Sequence, residues 1–163
     1  MTQAINTKAR LTKARLPWHQ LAPQAYKAMG GAAAALAGST LGTRLIDLVQ
    51  LRVSQVNGCA YCVDKHARDL LQQGEDLQRI NSLSTWHEVG LYDARERAAL
   101  QWAESLTNVA GTRAPDADFE PLRAHFDDRE IAELTLVVAM MNAWNRMGVG
   151  MRMPVVPKAL QPA

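Results

Sequence analysis

Cysteine is almost missing from this sequence: there are two among 163 residues, placed together as Cys59-Ala60-Tyr61-Cys62. So sparse a supply excludes a framework of disulfides as the source of stability. In a reducing cytosol, where lasting structural disulfides are rare, it leaves metal binding or redox chemistry for the pair. Aromatic residues make up only 6% of the chain, and no long apolar run is present. The longest run of small apolar residues, Gly30 to Ala37, is far too short to cross a bilayer. The first twenty residues hold no apolar segment of the signal-peptide kind, so a cytoplasmic location is expected. An excess of one charge is also lacking, the formal net charge being +2. The basic residues near the start (Lys8, Arg10, Lys13, Arg15) have no interleaved aromatics to stack on bases. They read as a solvated arm, and neither nucleic acid nor membrane is an expected partner. Internal repeats, low-complexity linkers and strong strand alternation are missing too.

What is present is helical. With 48% hydrophobic and 21% charged residues, the chain has the profile of a globular protein. Its length fits one domain, taken here as residues 1–163 with a core of about 21–150. Helices are expected over Gln24–Ala37, Thr43–Asn57, Cys59–Leu71 and, shorter, Glu75–Leu83. In the second, Leu45, Leu48, Val49, Val53 and Val56 keep the three-and-four spacing of one helical face, and Gly58 supplies its C-cap. Asp93 with Glu96, and Asp127 with Glu130, have capping-box spacing and open helices to about Leu106 and from Ile131 to about Met147. Gly148 is expected to stop the last of these, with Pro154 and Pro157 in an irregular tail. Leu134 to Met141 is apolar on nearly every side, which requires burial either as the central helix of a bundle or at an oligomer interface.

The chemistry concentrates between Leu45 and Gly74. Cys59 and Cys62 are three residues apart and His66 lies four beyond Cys62, so on one helix all three share a face. A helix N-terminus favours thiolate over thiol, and a histidine one turn on can take the thiol proton directly or through water. The same spacing lets the two sulfurs meet, so that an oxidised Cys62 is captured as a disulfide.

The segment VSQVNGCAYCVDKHARD resembles the core motif of the alkylhydroperoxidase-D branch of the carboxymuconolactone decarboxylase-like superfamily. The resemblance continues through AYKAM (Ala25 to Met29), ERAAL (Glu96 to Leu100) and NAWNR (Asn142 to Arg146), and so covers most of the chain. It implies an all-α, AhpD-like helical bundle and a homo-oligomer, trimer or hexamer. The activity implied is reduction of organic hydroperoxides with an external dithiol as reductant, and no cofactor or metal. By position, Cys62 is then the peroxidatic thiol, Cys59 the resolving thiol and His66 part of a proton relay. The relay's glutamate, twelve residues before the first cysteine, is here Asp47, one methylene shorter. Tyr61 stands where the best-known branch carries a histidine.

Other readings stand beside this one. Cys59, Cys62, His66 and Asp47 make up a countable set of four zinc ligands, although structural zinc sites more often use a second cysteine or histidine pair. The cysteines can also be small buried hydrophobes, and Asp47 a solvent-facing helix residue. Decarboxylation of a muconolactone, the superfamily's other activity, does not use a cysteine pair. A redox sensor or adaptor, whose disulfide alters an interface without turnover, needs the same residues as the enzyme. His19, His87 and His125 are expected at the surface or as caps, and Trp18, Trp86, Trp102 and Trp144 as core or interface anchors.

Overall fold

The structure, a computed structural model, describes residues 13–157. The basic positions Lys8 and Arg10 lie outside the described residues. In chain order the helices are α1 (Trp18–Leu21), α2 (Pro23–Ala37), α3 (Thr43–Asn57), α4 (Ala60–Gln72) and α5 (Leu77–Ser82). After a 3-10 segment at Leu83–Glu88 come α6 (Ala94–Thr107), α7 (Val109–Thr112) and α8 (Asp116–Phe119). A second 3-10 segment, Glu120–Ala124, leads into α9 (Asp128–Gly150). No strand occurs among the described residues, so the expected all-α class holds.

The middle of the molecule is α3, which packs against α4, α6 and α9. Its predicted face is too narrow: Ile46, Leu51 and Ser54 are buried along with Leu45, Leu48, Val49 and Val53. One side of α3 meets Ala99, Trp102, Leu134, Val138 and Met141 in the main core. The other meets Leu70, Ile80, Leu83, Trp86 and Leu100 in a second cluster. A helix apolar on both sides must lie between layers, and each fully buried leucine contributes roughly 2 kcal/mol. Both predicted capping boxes form, with Asp93 and Asp127 accepting from the Glu96 and Glu130 amides at 2.8 Å. Gly58, at φ 66°, turns the chain from α3 into α4, a left-handed conformation that favours glycine.

One expectation, the stop at Gly148, needs correction. Of the two settings expected for Leu134 to Met141, the central helix of the bundle holds for its inner face: Leu134, Val137, Val138 and Met141 are buried within the chain itself. Only Leu136 and Ala139 face outward along that part of α9. Helix α2 buries none of its residues despite its alanine-rich composition, and only Met29, Ala33 and Leu36 are half-buried. Gly148 does not end α9, which runs on to Gly150. The physical reason is a close approach to the cysteines, described below.

Candidate active site

The hairpin of α3 and α4 about Gly58 builds the site, because it folds the start of α3 back along α4 and so brings position 47 beside position 66. Asp47 Oδ1 lies 3.0 Å from His66 Nδ1. His66 is 5% exposed, and the Asp47 side chain 15%. In the neutral ring this contact places the proton on Nδ1, donated to Asp47, and leaves Nε2 as the basic acceptor. The second carboxylate oxygen of Asp47 accepts from Gln73 Nε2 at 2.6 Å, which fixes its orientation. Asp47 is therefore a histidine partner, not a solvent-facing residue. Its shorter side chain reaches His66 without an intervening water.

Cys59 is the N-cap of α4 and Cys62 lies in its first turn. The two are joined as a disulfide, with Cα atoms 5.4 Å apart. Both are nearly closed off, Cys59 at 1% and Cys62 at 5% exposure. Cys62 and His66 are both buried on α4, as expected for one face of that helix. Because its sulfurs are bonded to each other, the pair in this state offers no thiolate to a metal. Asp47, His66 and Asp69 do converge, their ligand atoms within 4.8 Å of one another. Their carboxylates are already engaged, however, Asp47 by Gln73 and Asp69 by Lys65 at 2.5 Å.

Residues from the far end of the chain complete the surroundings. The Cys59 amide donates to the Ser54 carbonyl at 3.0 Å. The Ser54 hydroxyl accepts from Asn145 Nδ2 at 3.1 Å, and Asn57 Nδ2 donates to Asn145 Oδ1 at 2.9 Å and to Asn142 Oδ1 at 3.0 Å. This partly buried polar ladder ties α9 to the end of α3 just ahead of Cys59. One turn beyond Asn145, a Cβ built on Gly148 would stand 2.7 Å from Cys59 Sγ and 3.4 Å from Cys62 Sγ. Glycine is needed there for contact with the disulfide, which is why it sits inside a helix it was expected to end. Ser54, Asn57, Gln73, Asn145 and Gly148 were not singled out for the site from sequence. The one signal was a glycine three residues after an asparagine in an otherwise apolar helix.

Tyr61 is 39% exposed beside the pair, and His19, His87 and His125 lie at the surface as expected. Trp86 and Trp102 are core residues, whereas Trp18 and Trp144 are half-buried and pack with Tyr26 where the amino-terminal segment crosses α9.

Residues 20–105 match the model of the carboxymuconolactone decarboxylase family. The chain belongs to that family. This member is similar to the uncharacterised protein YdfG of Bacillus subtilis, at 34% identity over 137 residues, 84% of this chain and 93% of that protein. Among solved structures it is similar to a protein of unknown function from Agrobacterium tumefaciens, described as a candidate antioxidant defence protein AhpD. The two share 40% identity with a TM-score of 0.87, over 90% of this chain and all of that one. An uncharacterised peroxidase-related protein with an alkylhydroperoxidase AhpD core, from Ralstonia eutropha, shares the fold. Its TM-score is 0.72 at 24% identity, over 82% of this chain and 72% of that one. The family member is thus AhpD-like in fold, and among the described residues it has no helix long and apolar enough to cross a membrane.

Proposed function

We propose that this chain is a thiol-dependent peroxidase for small organic hydroperoxides. The observation that carries the reading is a Cys59–Cys62 disulfide on the same short helix as a histidine oriented by a carboxylate. In the reduced protein the Cys62 thiolate attacks the outer peroxide oxygen: a sulfur–oxygen bond forms and the oxygen–oxygen bond breaks. The alkoxide leaves and takes a proton from the His66–Asp47 relay, giving an alcohol and a Cys62 sulfenic acid. The Cys59 thiolate attacks that sulfur, hydroxide leaves and is protonated to water, and the disulfide forms. An external dithiol returns two electrons. Burial of the pair supports the reading, since it shields a sulfenic acid from over-oxidation until Cys59 captures it.

Family membership alone supports decarboxylation equally, but that chemistry does not use a cysteine pair. A redox sensor is favoured by the same disulfide as the enzyme. Steady-state consumption of cumene hydroperoxide with dithiothreitol separates the two: an enzyme turns over many times, whereas a sensor consumes about one equivalent and stops. The latter result overturns the peroxidase reading.

We also propose homo-oligomeric assembly and a cytoplasmic setting. Support for assembly comes from α2, an apolar helix with no buried residue, and from Leu136 on α9, 53% exposed. A reducing compartment fits the need for a dithiol donor.

A further inference from the structure

We propose that the oxidised protein is re-reduced at Cys59: an incoming thiolate enters a cavity over the start of α4 and attacks the Cys59 sulfur, and Gly148 keeps that approach open. The proposal rests on the disulfide being one that is turned over, but not on a peroxide having formed it.

The structure is of the disulfide form, so the next reactant is the reductant. A cavity of about 210 Å³ lies beside Cys59, and its walls include Gly58, Cys59, Tyr61, Gly148, Val149, Arg152 and Met153. Cys62 is not one of its walls. Cys59 is almost closed to solvent, but the cavity meets it between two residues without side chains, Gly58 and Gly148. The outer wall is accessible and mixed: Tyr61 and Val149, 39% and 49% exposed, suit the carbon chain of a thiol, and Arg152 beside them adds a positive charge.

Chemistry points the same way as access. The thiolate forms a bond to Cys59 Sγ, the Cys59–Cys62 bond breaks, and the electron pair leaves on Cys62. That sulfur sits in the first turn of α4, where unpaired amides and the helix dipole favour thiolate, and a more acidic thiol leaves faster. His66, one turn on, accompanies the leaving sulfur. The second thiolate of the dithiol then attacks the reductant's own sulfur in the mixed disulfide and releases Cys59. The disulfide has gained two electrons and the dithiol has lost two.

Gly148 determines how this sulfur is reached. Its Cα lies where any side chain would press on Cys59 Sγ first and Cys62 Sγ second. Pressure on the disulfide alone would speed its reduction by destabilising the oxidised form. Blocked access would slow it. The sign of the change therefore separates the two roles.

The test is to mix the oxidised chain with glutathione, quench in acid, alkylate, and map the mixed disulfide by mass spectrometry. Glutathione on Cys59 with the alkyl group on Cys62 is expected. In Gly148→Ala, reduction by glutathione followed in stopped flow should slow by about 10-fold or more, the scale of a misaligned approach. Mapping uses the unaltered chain and so does not depend on that variant folding. Glutathione on Cys62, equal labelling of both cysteines, or no Cys59 adduct together with an unchanged or faster rate in Gly148→Ala overturns the proposal. A chain that consumes no peroxide yet carries glutathione on Cys59 refutes the peroxidase reading alone. A working peroxidase labelled on Cys62 refutes only this one.

Discussion

His66 and Asp47 are bonded to each other at 3.0 Å across the α3–α4 hairpin, and Gln73 holds the far oxygen of the same carboxylate. If the pair serves as the relay, Asp47→Asn removes the carboxylate that accepts from His66 Nδ1 and orients the ring, and should lower peroxide turnover by about 10-fold or more. Asp47→Glu keeps the charge with a longer reach. Retained or raised turnover is expected there, measured as kcat over a range of pH. Silence in both variants with Cys62 still essential would remove Asp47 from the relay.

Sulfur roles are separable by trapping. Cys62→Ser should abolish peroxide reduction, while Cys59→Ser should leave a sulfenic acid on Cys62 that dimedone captures one for one. If Cys59→Ser instead prevented any oxidation of Cys62, the roles should be exchanged.

The asparagine ladder should be costly to break. Asn145→Ala removes two hydrogen bonds, its donation to the Ser54 hydroxyl and its acceptance from the Asn57 amide, and should lower unfolding free energy by about 2 kcal/mol in urea melts. A change below about 0.5 kcal/mol would mean that water replaces the amide at no cost.

Acid should weaken the fold through Glu75 and Glu104. Burial alone would raise both carboxyls above the usual 4.5, but their hydrogen bonds outweigh it: Arg44, the Asp76 amide and Arg79 hold Glu75 low, and Trp86, Arg52 and His87 hold Glu104 low. A carboxyl depressed in the folded state contributes stability that is present above its unfolded pKa and lost as pH falls through the folded one. The melting temperature should therefore be insensitive to these groups near neutrality and fall below about pH 4.3. Glu75→Gln should cost about 2 kcal/mol at pH 7, because Arg44 and Arg79 lose a charged acceptor while Arg79 keeps Glu96, and should flatten the acid slope. A variant with wild-type stability at pH 7 would show that the cluster contributes nothing net.

Assembly is checked by sedimentation. A mass that is a multiple of the 17.9 kDa chain is expected at micromolar concentration, and a mass equal to one chain would sink the proposal. Leu136→Lys should shift the equilibrium towards single chains if α9's outward stripe lies in the interface.

How far the sequence could be read depended on distance along the chain. Cys59, Cys62, His66 and Asp47 fall within one segment whose spacing is set by helix geometry, and the structure brings His66 to Asp47 and Cys59 to Cys62. The helices from Thr43 onward and both capping boxes were legible for the same reason, because capping and periodicity are local. Asn145 and Gly148 lie about ninety residues beyond Ser54 and Cys59, and only the docking of α9 gives them a role. The bare face of α2 was hidden too, since an alanine-rich helix reads alike whether covered or not. The short turns α7 and α8 fell where only a loop was expected, because single helical turns carry no period.

The contact at Gly148 also links a steric fact to an equilibrium. If the Cys59 sulfur turns away from α9 once the Cys59–Cys62 bond is broken, a methyl group at position 148 burdens mainly the bonded state. Every 1.4 kcal/mol of burden on that state alone raises the midpoint potential of the couple by about 30 mV. In Gly148→Ala the reduced form should thus be favoured at equilibrium even while it is reached more slowly. The ease with which the chain holds its electrons would then be set from a helix that carries no sulfur.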